Sequence, residues 1–159
     1  MSKDQLQLKD IAPYLPYALK AMYGNPPNLE YKEVTIVGMD YREHETHPAR
    51  ISADWMDSEH IWMFKPLLHP LSSLTKPITV PHYNNGEPFV PMDELNKKLS
   101  SSYFKFQTDK VLPFLLLNVN RDLAINMTSV PMKCLNLLHQ WHFDVSGLIE
   151  KGLAKAIEQ

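Results

Sequence analysis

Short stretches rich in β-branched and aromatic residues alternate with prolines through the first half of the chain, and this pattern predicts strands rather than helices there. The prolines fall in pairs or near-pairs: Pro13 and Pro16, Pro26 and Pro27, Pro66 and Pro70, Pro77 and Pro81, Pro88 and Pro91. Each removes a backbone donor and fixes φ, so no long helix fits between them. Predicted strands are Tyr17 to Tyr23, Val34 to Tyr41, Arg50 to Trp55, His60 to Phe64 and Tyr103 to Thr108. The polar cluster Asp57, Ser58, Glu59 joins two of these, which makes Arg50 to Phe64 a hairpin. Tyr83 to Gly86, reading YNNG, is a turn because Asn and Gly tolerate positive φ.

Helical spacing appears in the second half. Met92, Leu95 and Leu99 recur behind Pro91, with Asp93 and Glu94 in the first turn and Lys97 and Lys98 in the last, which suits the helix dipole at both ends. A second helix runs from about Pro131 to His142, with Cys134, Leu135, Leu138 and Trp141 on one face and Lys133, Asn136 and Gln140 opposite. Ser129 stands where that helix needs a cap. Asp144 is placed to cap a third helix carrying Leu148 and Ile149, which Gly152 ends in a left-handed conformation. For Leu153 to Ile157 a closing strand is slightly preferred over a helix. The expected architecture is one α+β domain over residues 1–159, with short antiparallel strands in the first half packed against two or three helices in the second.

Composition narrows the classes. The 159 residues carry 16 Lys plus Arg against 18 Asp plus Glu, a net charge of −2, with 44% apolar and 21% charged residues. That is ordinary globular usage, with no bias toward polyanions or membranes. The longest apolar run, Val111 to Leu117, is interrupted by Pro113 and is far too short to span a bilayer. The start, MSKDQLQLKD, does not read as a signal peptide. A soluble, cytoplasmic protein is the expectation. Cys134 is the single cysteine, so no intramolecular disulfide or multi-cysteine metal site can form. The five glycines are too dispersed for a phosphate-cradling loop.

Candidate chemistry is sparse. His44, Glu45, Thr46, His47 resembles a zinc-protease motif, but its histidines are three apart where four are needed, and Pro48 follows at once; it reads as a loop. His139, His142 and Asp144 form H-x-x-H-x-D. Two imidazoles and a carboxylate on one helical face could ligate a metal or serve a hydrolytic site. The preferred reading makes His142 a core residue and Asp144 a cap. Cys134 is a buried, inert thiol, Ser100 to Ser102 lack the elbow that exposes a nucleophile, and the scattered methionines fill core gaps. No cofactor is indicated. Tyr14 and Tyr17 flank Pro16, and Trp55 and Trp62 lie on the two arms of the hairpin. These aromatics either pack the core or offer a contact surface. Between Ser100 and Asn120 the basic residues are only Lys105, Lys110 and nothing adjacent until Arg121, so nucleic-acid binding is a minority reading.

Four segments carry a family resemblance: IAPYLPY from Ile11 to Tyr17, KPLLHPLSSLT from Lys65 to Thr75, EPFVPMDELN from Glu87 to Asn96, and HFDVSGLIEKGLA from His142 to Ala154. They resemble a family of small uncharacterised proteins encoded by phages, prophages and mobile elements of Bacteroidetes. The resemblance spans nearly the whole chain and is poorest over Tyr23 to Met63, which reads as the variable part. It implies residence in a bacterial cytoplasm and implies no reaction, cofactor or catalytic residue. The leading expectation is a non-enzymatic accessory protein that binds a protein partner, or a second copy of itself, through the hairpin. The alternatives are a small metal-dependent or hydrolytic enzyme built on His139, His142 and Asp144, and a replication or recombination accessory that touches nucleic acid.

Overall fold

The computed structural model describes residues 5–24, 31–44, 49–99, 115–117, 123–125 and 132–158. A short helix α1 (Leu8–Ile11) runs into a 3-10 segment (Ala12–Tyr17) that accommodates Pro13 and Pro16 and stops where Ala18 turns left-handed at φ 54°. Strands β1 (Lys20–Tyr23), β2 (Lys32–Tyr41), β3 (Ala49–Ala53) and β4 (Met56–His60) follow, then a 3-10 turn (Ile61–Met63) and β5 (Phe64–Leu68). Two further 3-10 turns (Leu71–Thr75 and Asn84–Gly86) lead to α2 (Pro91–Leu99). The strands β6 (Leu115–Leu117) and β7 (Leu123–Ile125) precede α3 (Met132–Gln140) and the closing β8 (Lys155–Ala156). The protein is α+β, with antiparallel strands in the first half and helices later.

The chain forms two compact units, one of residues 1–68 and 146–157, the other of 69–145 and 158–159. The first holds a six-stranded sheet in the order β4-β3-β2-β1-β5-β8, antiparallel except where β8 lies parallel to β5. Its inner face follows from the register. Ala21 lies opposite Val34 on one side and Pro66 on the other, and all three are buried. Val34 and Ile36 point inward, but a bulge before Gly38 leaves Val37 exposed and shifts the parity, so Met39 is the next residue to pack inward. One extra residue resets which side chains reach the core. Leu6, Ile11, Tyr14 and Leu19 from the amino-terminal segment, with Leu148 and Ala154, complete this core.

Several predicted boundaries move. The hairpin turns at Asp54 and Trp55, with Ala53 opposite Met56, rather than at Asp57 to Glu59. Those three residues belong to β4, the edge strand, where a polar sequence is tolerated because one side lacks a partner strand. Tyr17 belongs to the 3-10 segment and not to β1. Pro66 lies within β5, of which the predicted strand His60 to Phe64 reached only Phe64; β8 pairs only with Leu67 and Leu68, so over Phe64–Pro66 β5 has β1 on one side alone. A sheet admits proline at such a place. The predicted strand Tyr103 to Thr108 lies outside the described residues.

In the second unit α2 buries Leu95 completely, and Glu94 lies 3.9 Å from both Lys97 and Lys98. The stripe predicted on α3 is present and is widened by Leu137 and His139. Tyr83, Phe89 and Trp141 form an aromatic cluster with centroids 4.7 to 5.2 Å apart. The helix predicted after Asp144 does not form. Gly147 sits at φ 69° and confines the helical turn of the first unit to the few residues beyond it, which Gly152 ends at φ 72° as anticipated. The amides of Leu153 and Gly152 donate to the carbonyls of Leu148 and Ile149 at 2.8 and 3.0 Å, a Schellman closure. The predicted closing strand is β8.

A Cβ at Gly152 would meet nothing within 4 Å, so an alanine there acts through backbone strain alone. Gly152→Ala should cost about 1–2 kcal/mol, whereas Gly38→Ala, whose Cβ would meet only Ser52 at 3.9 Å, should change stability far less. Urea midpoints of the two variants, at unchanged m-value, check this.

Candidate functional site

Among the described residues the exposed large apolar side chains are Tyr31, Val37, Tyr41, Trp55, Trp62 and Met132. All but Met132 belong to the sheet-bearing unit. Trp55, 57% exposed at the β3–β4 turn, meets the Tyr23 ring edge-on at 6.4 Å and lies beneath the Lys32 ammonium at 5.7 Å. Tyr23 in turn tilts against Phe64 at 5.2 Å. Burial, assisted by the charge of Glu59, raises the Tyr23 phenol above its ordinary range. Trp55 is therefore held by a row of rings that begins in the core.

Trp62, 47% exposed on the turn after β4, stacks on His60 with centroids 6.0 Å apart and planes 17° from parallel. It lines a cleft of about 400 Å³ with Leu6, Leu8, Lys9, Tyr41, Ala49 and Ile61. The five residues of β4, at roughly 3.3 Å each, and then Ile61 separate the two tryptophans. They do not make one aromatic anchor: Trp55 belongs to the Tyr23 row and Trp62 to the cleft. Tyr14 is 1% exposed and fully engaged in the core, and Tyr17 is half-buried. Neither joins this surface.

The histidines lie in the other unit. At the end of α3 the Phe143 amide donates to the Leu138 carbonyl at 2.9 Å and the His142 amide to the His139 carbonyl at 3.0 Å. This is again a Schellman closure, with His142 at φ 56° in the position usually given to glycine. The next residues fold back on His69: its amide donates to the His142 carbonyl at 2.8 Å, and its carbonyl accepts from the Asp144 amide at 2.9 Å. His69, His139, His142 and Asp144 are all buried. His69 was not predicted, because its partners lie far along the chain and nothing in KPLLHPL marks it locally. Among the described residues no group of three or more His, Cys, Asp or Glu is placed to hold a metal, so His139, His142 and Asp144 do not gather into one. His44 lies in a turn, and the rest of its motif, like Ser100 to Ser102, is outside the described residues.

The protonated forms of His69 and His139 are disfavoured. Burial, with the neighbouring charge of His142 second, lowers His69 from the ordinary 6.5 to about 4, and burial lowers His139 as well. Nδ1 of His69 meets no hydrogen-bond partner among the described residues. The unfolded chain therefore takes up this proton before the folded chain does. The stability that neutral His69 contributes is complete above about pH 6.5 and is lost progressively down to about pH 4. Unfolding free energies measured across that window should fall by up to about 3 kcal/mol on this account, and His69→Phe should flatten the decline.

Cys134 is fully buried on α3, and burial pushes its thiol up to about 12. With so little thiolate it is no nucleophile. Iodoacetamide at pH 8 should leave the folded protein unlabelled and should modify it after denaturation; rapid labelling of the native state would contradict the buried placement.

No helix among the described residues is long and apolar enough to cross a membrane. No family model, curated protein or solved structure matches the chain.

Proposed function

We propose that this protein acts by binding a protein partner through the cleft that Trp62 and Tyr41 line, rather than by turning over a substrate. The observation that carries the reading is the exposure of these two large rings beside an apolar cleft, an arrangement in which a partner's side chain can be enclosed and a tryptophan can dominate binding energy. Among the described residues its lining is largely apolar, with Lys9 the one charged side chain beside Gln5 and Gln7. His69 fits a structural role better than catalysis: a base near pKa 4 is largely unprotonated at neutral pH and has little drive to take a proton. The setting we propose is a bacterial cytoplasm during residence of a phage or mobile element, which rests on the four segments that resemble such proteins. Self-association through the same cleft is the competing form of binding.

Affinity capture from an expressing bacterium tests this, with the wild type compared against Trp62→Ala after both are shown to melt cooperatively. A protein retained by the wild type and lost from the variant is the expected result, with at least a tenfold loss of affinity once the partner is in hand. Identical retention by the two proteins, or a monomeric wild type that binds nothing and converts a small molecule in an activity screen, would overturn the proposal.

A further inference from the structure

The outer face of the sheet carries a second cavity, also of about 400 Å³. Its walls follow from the register. Met22 on β1 lies opposite Lys65 on β5, and Leu67, two residues along on the same face, lies opposite Lys155 on β8. Lys65 and Lys155 thus stand on adjacent strands about 8 Å apart at their Cα atoms, close enough for two flexible ammonium groups to reach one anion. Both are exposed, and neither has an ion-pair partner among the described residues. Glu33, also opposite Met22, is taken by Lys20, whose ammonium lies 2.6 Å from its carboxylate. Among the described residues no acidic side chain lines the cavity.

Tyr31 forms the aromatic wall, 43% exposed. Its ring lies so close over Gly24 that a Cβ there would come within 2.6 Å of it. The missing side chain is what lets the ring approach the backbone so closely. Ala154 and Gly152 leave the floor shallow.

We propose that this cavity binds a nucleotide unit, its base stacked on Tyr31 and its phosphate held between Lys65 and Lys155. A π-face accepts any base, and two uncompensated ammonium groups match a phosphate better than a single carboxylate. The net charge of −2 does not oppose this, because binding follows the local field. The unit belongs either to a free mononucleotide or to a single strand, and the two are separable.

Calorimetric titration at low ionic strength with thymidine 5′-monophosphate, thymidine and inorganic phosphate, beside anisotropy of labelled oligo(dT), tests the site. The monophosphate should saturate, with thymidine and phosphate each about tenfold weaker or worse. The double variant Lys65→Gln, Lys155→Gln and the separate variant Tyr31→Leu should each weaken the monophosphate about tenfold or more. Trp62→Ala should leave it unchanged, so that this site and the partner cleft stand or fall separately. Cooperative melting is checked for each variant, and Lys155→Gln alone, at the edge strand, carries the test if another variant is destabilised. An oligonucleotide that binds more tightly than the monophosphate, with a steeper salt dependence, assigns a single strand; equal binding assigns the free nucleotide. Failure of both to saturate, affinities that none of these variants alters, or phosphate binding as tightly as the monophosphate overturns the proposal.

Discussion

Strand β1 is four residues long, yet both pairings that build the sheet meet on it: β2 on one side and β5 on the other. Its alternation fixes what each face becomes. Ala21 points inward, and its small side chain fits between Val34 and Pro66 in the core. Met22 points outward, between Glu33 and Lys65, and floors the lysine cavity. Tyr23 ends the strand between Lys32 and Phe64 and anchors Trp55. A slip of one residue in this strand would bury Met22 and expel Ala21, dismantling the core and both surface features at once.

The second unit keeps its order by a different compromise. Trp141 is fully buried and its indole N–H meets no acceptor among the described residues, a burial that costs about 1–3 kcal/mol. Against this stand its contacts with Tyr83 and Phe89, each worth roughly 0.5–1.5 kcal/mol beyond the burial of the ring itself. The His69 strap works in the same way. Its backbone is fully used by His142 and Asp144 while its ring is desolvated, so the segment is tied by main-chain bonds that do not depend on pH and strained by a side chain that does. His142, left-handed where glycine would be unstrained, adds to that cost.

What the sequence made legible was local. The acidic first turn and basic last turn of α2, the stripe on α3 and the glycine stop at Gly152 all depend on neighbours within one or two turns, and all are present. The helix expected after Asp144 is cut short locally, by Gly147, but other differences arise because a residue's meaning comes from a partner that is distant in sequence. The polar run Asp57 to Glu59 looks like a turn until β4 is known to be an edge. Pro66 looks like a strand breaker until β8 is known to begin beside Leu67. Likewise Lys65 and Lys155 are unremarkable separately, and only the parallel pairing of β5 with β8 makes them neighbours. Tyr14 and Tyr17 looked equivalent around Pro16, but the turns of the 3-10 segment send the first into the core and leave the second at its boundary.

The two surfaces of the sheet unit differ in the chemistry they can recognise, and the difference comes from charge placement rather than total charge. Trp62 and Tyr41 offer large apolar area with one lysine nearby, so affinity there must come from enclosing apolar groups and should vary little with salt. Lys65 and Lys155 set two cations, whose natural counterion, Glu33, is already spent on Lys20, beside the Tyr31 ring. Attraction there is electrostatic and weakens as salt rises. A chain with nearly balanced charges can hold both because its acidic and basic residues are not evenly mixed: one ion pair on the outer face neutralises itself and leaves its two neighbours free to bind an anion.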